Sequence, residues 1–168
     1  MCKKIWNGIP KLAPCVKHLI ENCIFLRHLK RCKIPVTDLI TIYLQYIPPT
    51  LKYASPAWFG GLSKTQKECL EKMQRKALHI IFTVEYCRTR SYSDICRSHN
   101  IPVLCERLEL LSLNFGNSLL NSKTYREWLP PYRNNNLRNT GKLSLIRCRT
   151  NRYQCSLIPF LTKILNQH

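Results

Sequence analysis

Residues 63 to 81 read as one amphipathic helix with a marked start, and a helix of this kind needs helical neighbours to cover its apolar face. Ser63 and Gln66 have capping-box spacing: the serine oxygen accepts from a backbone N–H at the third helical position, and the glutamine side chain turns back to the N–H of Ser63. Beyond Lys64, residues Leu70, Met73, Ala77 and Ile81 recur at the three- and four-residue steps of one helix face. Lys72, Arg75, Lys76 and His79 fall opposite. One face requires a core; the other suits either water or an anion.

The flanking sequence is punctuated by proline and carries no convincing strand alternation. Pro14 suits a first helical position, and Val16, Leu19, Ile20, Cys23 and Leu26 form a stripe for a helix reaching about Cys32. Its last turns hold Arg27, Lys30, Arg31 and Lys33, more cations than a helix dipole asks for. After Pro35, Thr37 is placed to cap a second helix through Leu39, Ile42, Tyr43 and Tyr46, which Pro48 and Pro49 should kink or end. A turn with Pro56, Trp58, Gly60 and Gly61 precedes the basic helix, and Tyr53 and Trp58 are expected to pack beneath it. Ser91 and Asp94 open a short helix ending near His99. Pro102 then introduces a longer one with the stripe Leu104, Leu108, Leu111, Phe115 and Leu119. The expected fold is all-α, a compact bundle of about five helices over residues 1–127 with a basic, partly irregular tail over 128–168. In that tail the Asn134, Asn135, Asn136 run reads as linker and Ile158 to Leu165 as a short terminal helix.

Charge narrows the partners. The 168 residues hold 27 Lys and Arg against 9 Asp and Glu, a net charge of +18, and no acid occurs after Glu127. Such a field favours a polyanion, and nucleic acid is the better choice over an anionic membrane surface. No apolar run approaches the ~20 residues that span a bilayer, and Pro10 and Pro14 interrupt any signal-like stretch. The expectation is a soluble, unprocessed, intracellular chain of nucleus or cytoplasm, not secreted and with no membrane partner. Its 10 cysteines contain no Cys-x-x-Cys pair and are expected to be reduced. Cys15 with His18 and Cys96 with His99 have a spacing that permits a zinc site, the less favoured reading beside Cys23 and Cys69 at apolar-stripe positions.

Catalytic chemistry is poorly provided for. Asp38 and Asp94 are the only aspartates, and each sits at a helix start, so clustered carboxylates for metal-assisted phosphoryl transfer are missing. With 5 glycines and no Gly-x4-Gly-Lys run there is no phosphate-cradling loop. We expect no enzyme activity, no cofactor, no bound metal and no small-molecule substrate.

The chain resembles the C-terminal region of reverse transcriptases from non-LTR retrotransposons of the jockey-like group over nearly all of its length, and three blocks carry the resemblance. The first, YASPAWFGGLSKTQKECLEKMQRKALHIIF, is similar to a Tyr-Ala-x-Pro-x-Trp turn followed by a Leu-Glu-x-x-Gln-x-x-Ala-Leu-x-x-Ile helix. It matches at Tyr53, Ala54, Pro56, Trp58, Leu70, Glu71, Gln74, Arg75, Ala77, Leu78 and Ile81. The second, IPVLCERLELLSLNF, matches at Ile101, Pro102, Leu104, Glu106, Arg107, Leu108 and Phe115. The third, RCRTNRYQCSLIPFLTKILN, resembles a closing Arg-Thr-x-Arg-Tyr and Ile-Pro signature at Arg149, Thr150, Arg152, Tyr153, Ser156, Ile158, Pro159 and Asn166. The resemblance implies the helical thumb and post-thumb portion of an RNA-directed DNA polymerase, which helps hold template and primer. The fingers, the palm with its Tyr-x-Asp-Asp motif, and the endonuclease have no counterpart in this sequence.

The expected role is therefore binding of RNA or an RNA/DNA duplex through the phosphate backbone. Lys72, Arg75, Lys76, Arg147, Arg149 and Arg152 are the candidate phosphate contacts, and Tyr153 the candidate for stacking on an unpaired base. Three alternatives stand beside it: a protein-interaction or structural remnant docking on an acidic partner, including the missing palm; a zinc-dependent module on Cys15, His18, Cys96 and His99; and a decayed element copy with no function.

Overall fold

A computed structural model describes residues 13–83, 91–133 and 141–167, with backbone alone for 13–20. The chain is all-α, as its periodicity requires. The described residues hold eight α-helices, a single 3-10 turn, no strand, and one isolated antiparallel bridge between Tyr132 and Leu143. The helices are α1 (Ala13–Arg31), α2 (Val36–Lys52), α3 (Ser55–Phe59), α4 (Lys64–Ile81), α5 (Tyr92–Ser98), α6 (Leu104–Asn121), α7 (Asn151–Gln154) and α8 (Leu157–Leu165). The Asn134–Asn136 run lies outside the described residues.

Two compact units divide the chain, and they interleave along it. The first takes the residues up to Tyr53 together with Ser63–Arg107; the second takes Ala54–Leu62 and Leu108 onward. In the first unit α1 packs on α2 and α4, and α2 also meets α4. Its core is Leu26 of α1, Leu39, Tyr43, Ile47 and Leu51 of α2, and Leu70, Met73, Ala77, Leu78 and Ile81 of α4, closed by Ile95 of α5 and Ile101. The stripe expected on α4 is thus the buried one. Its cap is also present: Gln66 N–H donates to Ser63 Oγ at 3.3 Å, and Ser63 N–H donates to Gln66 Oε1 at 2.9 Å.

α2 departs from expectation at its start, and it does not end at its prolines. It starts after Pro35, with no side-chain cap from Thr37, and it runs through Pro48 and Pro49 to Lys52. Those prolines deprive the carbonyls of Leu44 and Gln45 of their helical donors, but both residues are exposed, so water can satisfy the freed oxygens. The uninterrupted helix then buries Leu39, Tyr43, Ile47 and Leu51 at four-residue steps and leaves Tyr46 outside.

The second unit is built around a cluster of Leu119, Leu129 and Leu161, with Leu120, Leu157, Ile158 and Leu165 packed on it. The expected aromatic turn is in fact α3, with Pro56 at its start. There Phe59 is buried and meets Phe160 of α8 edge-on, ring centroids 6.1 Å apart. Gly60 lies so close to the Phe160 ring that a Cβ would overlap it, and a Cβ on Gly116 would come within 3.2 Å of Leu165. Two glycines therefore let α8 seat. Tyr53 is not core: it is 82% exposed, because Ala54 adopts a left-handed conformation (φ 49°) that turns the chain and gives the buried places to Ser55 and Phe59. Trp58 is half-buried.

Candidate nucleic-acid interface

The opposing face of α4 meets the basic end of α1, and a groove runs between them. Cys23, Arg27, Lys72, Met73, Arg75, Lys76, His79 and Ile80 line its wider part, about 520 Å³. Past Arg27, His79 and Ile80 it continues along Lys30, Arg31 and Thr83 for about 310 Å³ more. Among the described residues, no Asp or Glu lines either part. Lys72, Arg75, Lys76, Arg27 and Arg31 are all exposed, while Cys23, Met73 and Ile80 give the groove an apolar floor. Burial pushes the Cys23 thiol up, opposed by nearby Lys76 and Arg27, so it stays a neutral thiol.

Acidic and amide groups of α4 hold this face in place. Glu71 accepts from the Tyr92 hydroxyl at 2.7 Å and from the Cys105 N–H, in the first turn of α6, at 2.6 Å. Its carboxylate thus ties α4 to α5 and satisfies an open donor of α6. Burial, then the bond to Glu71, pushes the Tyr92 phenol well above its ordinary range. The Arg75 guanidinium lies 4.8 Å from the centre of the same tyrosine ring, a cation–π contact that orients it. Gln74, buried, donates from Nε2 to the Pro102 carbonyl at 3.0 Å. Lys30 is committed elsewhere: its ammonium donates to the carbonyls of Ile80 and Ile81, the latter at 2.8 Å, and to Thr83 Oγ1 at 2.9 Å. It caps the C-terminal end of α4, where the dipole is negative.

The candidates of the closing segment lie in the second unit. Arg147, Arg149, Arg152 and Tyr153 are all exposed. Thr150 caps α7 by accepting from the Tyr153 N–H at 3.3 Å, which leaves the Tyr153 ring half exposed. Asn166 binds both backbone groups of Leu143, accepting from its N–H at 2.8 Å and donating to its carbonyl at 3.1 Å. The sequence reading thus named two sets of cations, one in each unit. It placed His79 on one face with Lys72, Arg75 and Lys76 but missed Arg27 and Arg31 of α1 as their partners. Their excess over helix capping was visible, but the crossing of α1 on α4 was not.

A second cavity is of another kind. It measures about 40 Å³, lies among Tyr43, Ile47, Leu51, Gln74, Ile101 and Leu104, and has room for about one water. Gln74 Oε1 and Arg107 Nε, which line it, have no hydrogen-bond partner among the described residues. No three His, Cys, Asp or Glu side chains among the described residues are grouped to hold a metal ion. Cys96 is buried, with burial pushing its thiol up, and the His99 ring stacks on Phe82 at 4.1 Å; the side chains of Cys15 and His18 lie outside the described residues. No described helix is long and apolar enough to cross a membrane.

Fold and site together define an all-α chain with a groove lined by cations. Comparison with protein-family models, curated proteins and solved structures found no match to this chain.

Proposed function

We propose that this chain is the thumb and post-thumb region of a reverse transcriptase from a jockey-like non-LTR retrotransposon, acting as a holder of RNA or RNA/DNA duplex rather than as a catalyst. The observation that carries the binding role is the pair of adjoining clefts between α1 and α4, where Arg27, Arg31, Lys72, Arg75 and Lys76 meet with no carboxylate among the described lining residues. Phosphates recognised by such a surface release counterions, so affinity depends on salt and little on sequence. The family reading draws on how the resembling residues are used. Leu70, Ala77, Leu78 and Ile81 are buried, while Glu71 and Gln74 bond to the segments that follow α4. These are positions a shared fold has to keep, and the cations sit between them.

The test is fluorescence anisotropy of an RNA/DNA duplex of arbitrary sequence across a salt series. Log affinity should fall linearly with log salt, and Lys72→Ala, Arg75→Ala and Lys76→Ala should each weaken binding and flatten the slope by about 1. A salt-independent complex, or slopes unchanged in all three variants, overturns the binding role.

A second reading, docking on a protein such as a polymerase palm, draws on Ile24 and Phe25 of α1, apolar yet about half exposed. A separately produced palm domain that becomes soluble only with this chain would favour it.

A further inference from the structure

Outside the groove, the second unit displays three large rings on one fixed turn. Tyr125, Trp128 and Tyr132 are 47%, 55% and 50% exposed. They are not on a loose loop. Leu129, between them, is buried in the leucine cluster. The backbone is bonded at Arg126 N–H to the Ser122 carbonyl (3.1 Å), at Trp128 N–H to the Tyr125 carbonyl (3.1 Å) and at Arg133 N–H to the Lys142 carbonyl (2.9 Å). Arg126 stiffens the turn further, donating from Nη1 to the carbonyls of Leu129 (3.1 Å) and Pro130 (3.2 Å), with its guanidinium 5.0 Å from the Tyr132 ring centre.

Ring geometry decides what such a turn can accept. Tyr125 and Trp128 meet edge-on, centroids 4.9 Å apart and planes at 60°. This contact covers at most one face of either ring, and Arg126 covers at most one face of Tyr132. Open aromatic faces held rigid beside cations are the elements of a base-stacking platform. Lys123, Arg126 and Arg133 flank the rings against the lone carboxylate of Glu127 in this stretch, so the local charge favours a polyanion over a neutral peptide.

We propose that Tyr125, Trp128 and Tyr132 form a stacking platform for unpaired bases of single-stranded nucleic acid. The proposal rests on the nucleic-acid reading given above and adds a strand-state preference to it. Paired bases in a duplex hide their faces and cannot use the platform; a single strand can lay successive bases on it while its phosphates meet the flanking cations.

The test uses the full chain with a short single-stranded RNA and its duplex counterpart, measured side by side. Trp128→Ala and Tyr132→Ala should each lower single-strand affinity about tenfold and leave duplex affinity within about twofold. Trp128→Phe, which keeps an aromatic face, should retain most of the affinity. It should also lose the tryptophan quenching that the single strand produces in the parent chain, whose other tryptophans are Trp6 and Trp58. Far-UV circular dichroism of each variant excludes a folding defect. Equal single-strand affinity in the parent and both alanine variants overturns the platform and leaves the groove standing, whereas a parent chain that binds neither strand state overturns both. Stronger quenching by a proline-rich peptide than by the RNA would replace the platform with a peptide site.

Discussion

Glu71 ties α4 both to α5 and to the first turn of α6. One carboxylate serves Tyr92 and Cys105, so removing it strands a hydroxyl and a backbone N–H together. Glu71→Ala should destabilise the protein by about 1–3 kcal/mol, read as a lower Tm, and should weaken duplex binding through the lost orientation of Tyr92 under Arg75. Tyr92 also makes stability depend on alkaline pH. Its folded phenol keeps its proton above the ordinary value of 10.0 at which the unfolded chain releases it. The folded state then holds more protons, so the contribution is complete below that value and is lost as pH rises past it. The Tm advantage of the parent chain over Tyr92→Phe should therefore shrink between about pH 9 and about pH 11.

At the scale of elements, the legible helices were those whose starts are written in side chains. Ser63 and Gln66 mark α4 in the sequence and make both bonds of the capping box, and Ser91 sits at the start of α5 as expected, though without a cap bond. Of the two outcomes that Pro48 and Pro49 suggest for α2, a kink or an end, the end does not occur, because the burial of Ile47 and Leu51 on either side of them outweighs two missing donors on a solvent face. α3 reads as a turn in sequence, since five residues are too few for a periodic pattern. α8 was found as a helix, but its seat was not. Gly60 and Gly116 are far from it in sequence, and nothing local says that Phe160 and Leu165 will rest on them. Gly60→Ala should force Phe160 aside and cost about 1–3 kcal/mol, detectable as a lower urea midpoint, whereas Gly141→Ala, with open space around it but a φ of 100°, tests backbone strain instead.

For the whole molecule, composition bears on the charge a partner would carry and not on where it would bind. A net charge of +18 states that a polyanion is welcome. It does not say that α1 and α4 cross so that Arg27 and Arg31 join Lys72, Arg75 and Lys76, nor that Lys30 is withdrawn to cap a helix end. The closing cations, Arg147, Arg149 and Arg152, were equally visible in sequence, and they belong to the other unit. Interleaving of the two units is a long-range property, set by contacts such as Phe59 with Phe160, and no reading along the chain reveals it.

That interleaving has a consequence for the order in which the protein is made. The ribosome delivers every segment of the first unit by Arg107, but it delivers Ala54–Leu62 long before α8, the helix that covers Phe59. A nascent chain halted after Arg107 should therefore display Phe59 as a ready handle for chaperones, and release of that chaperone should coincide with the emergence of Phe160. Arrested-chain crosslinking at successive lengths would show it.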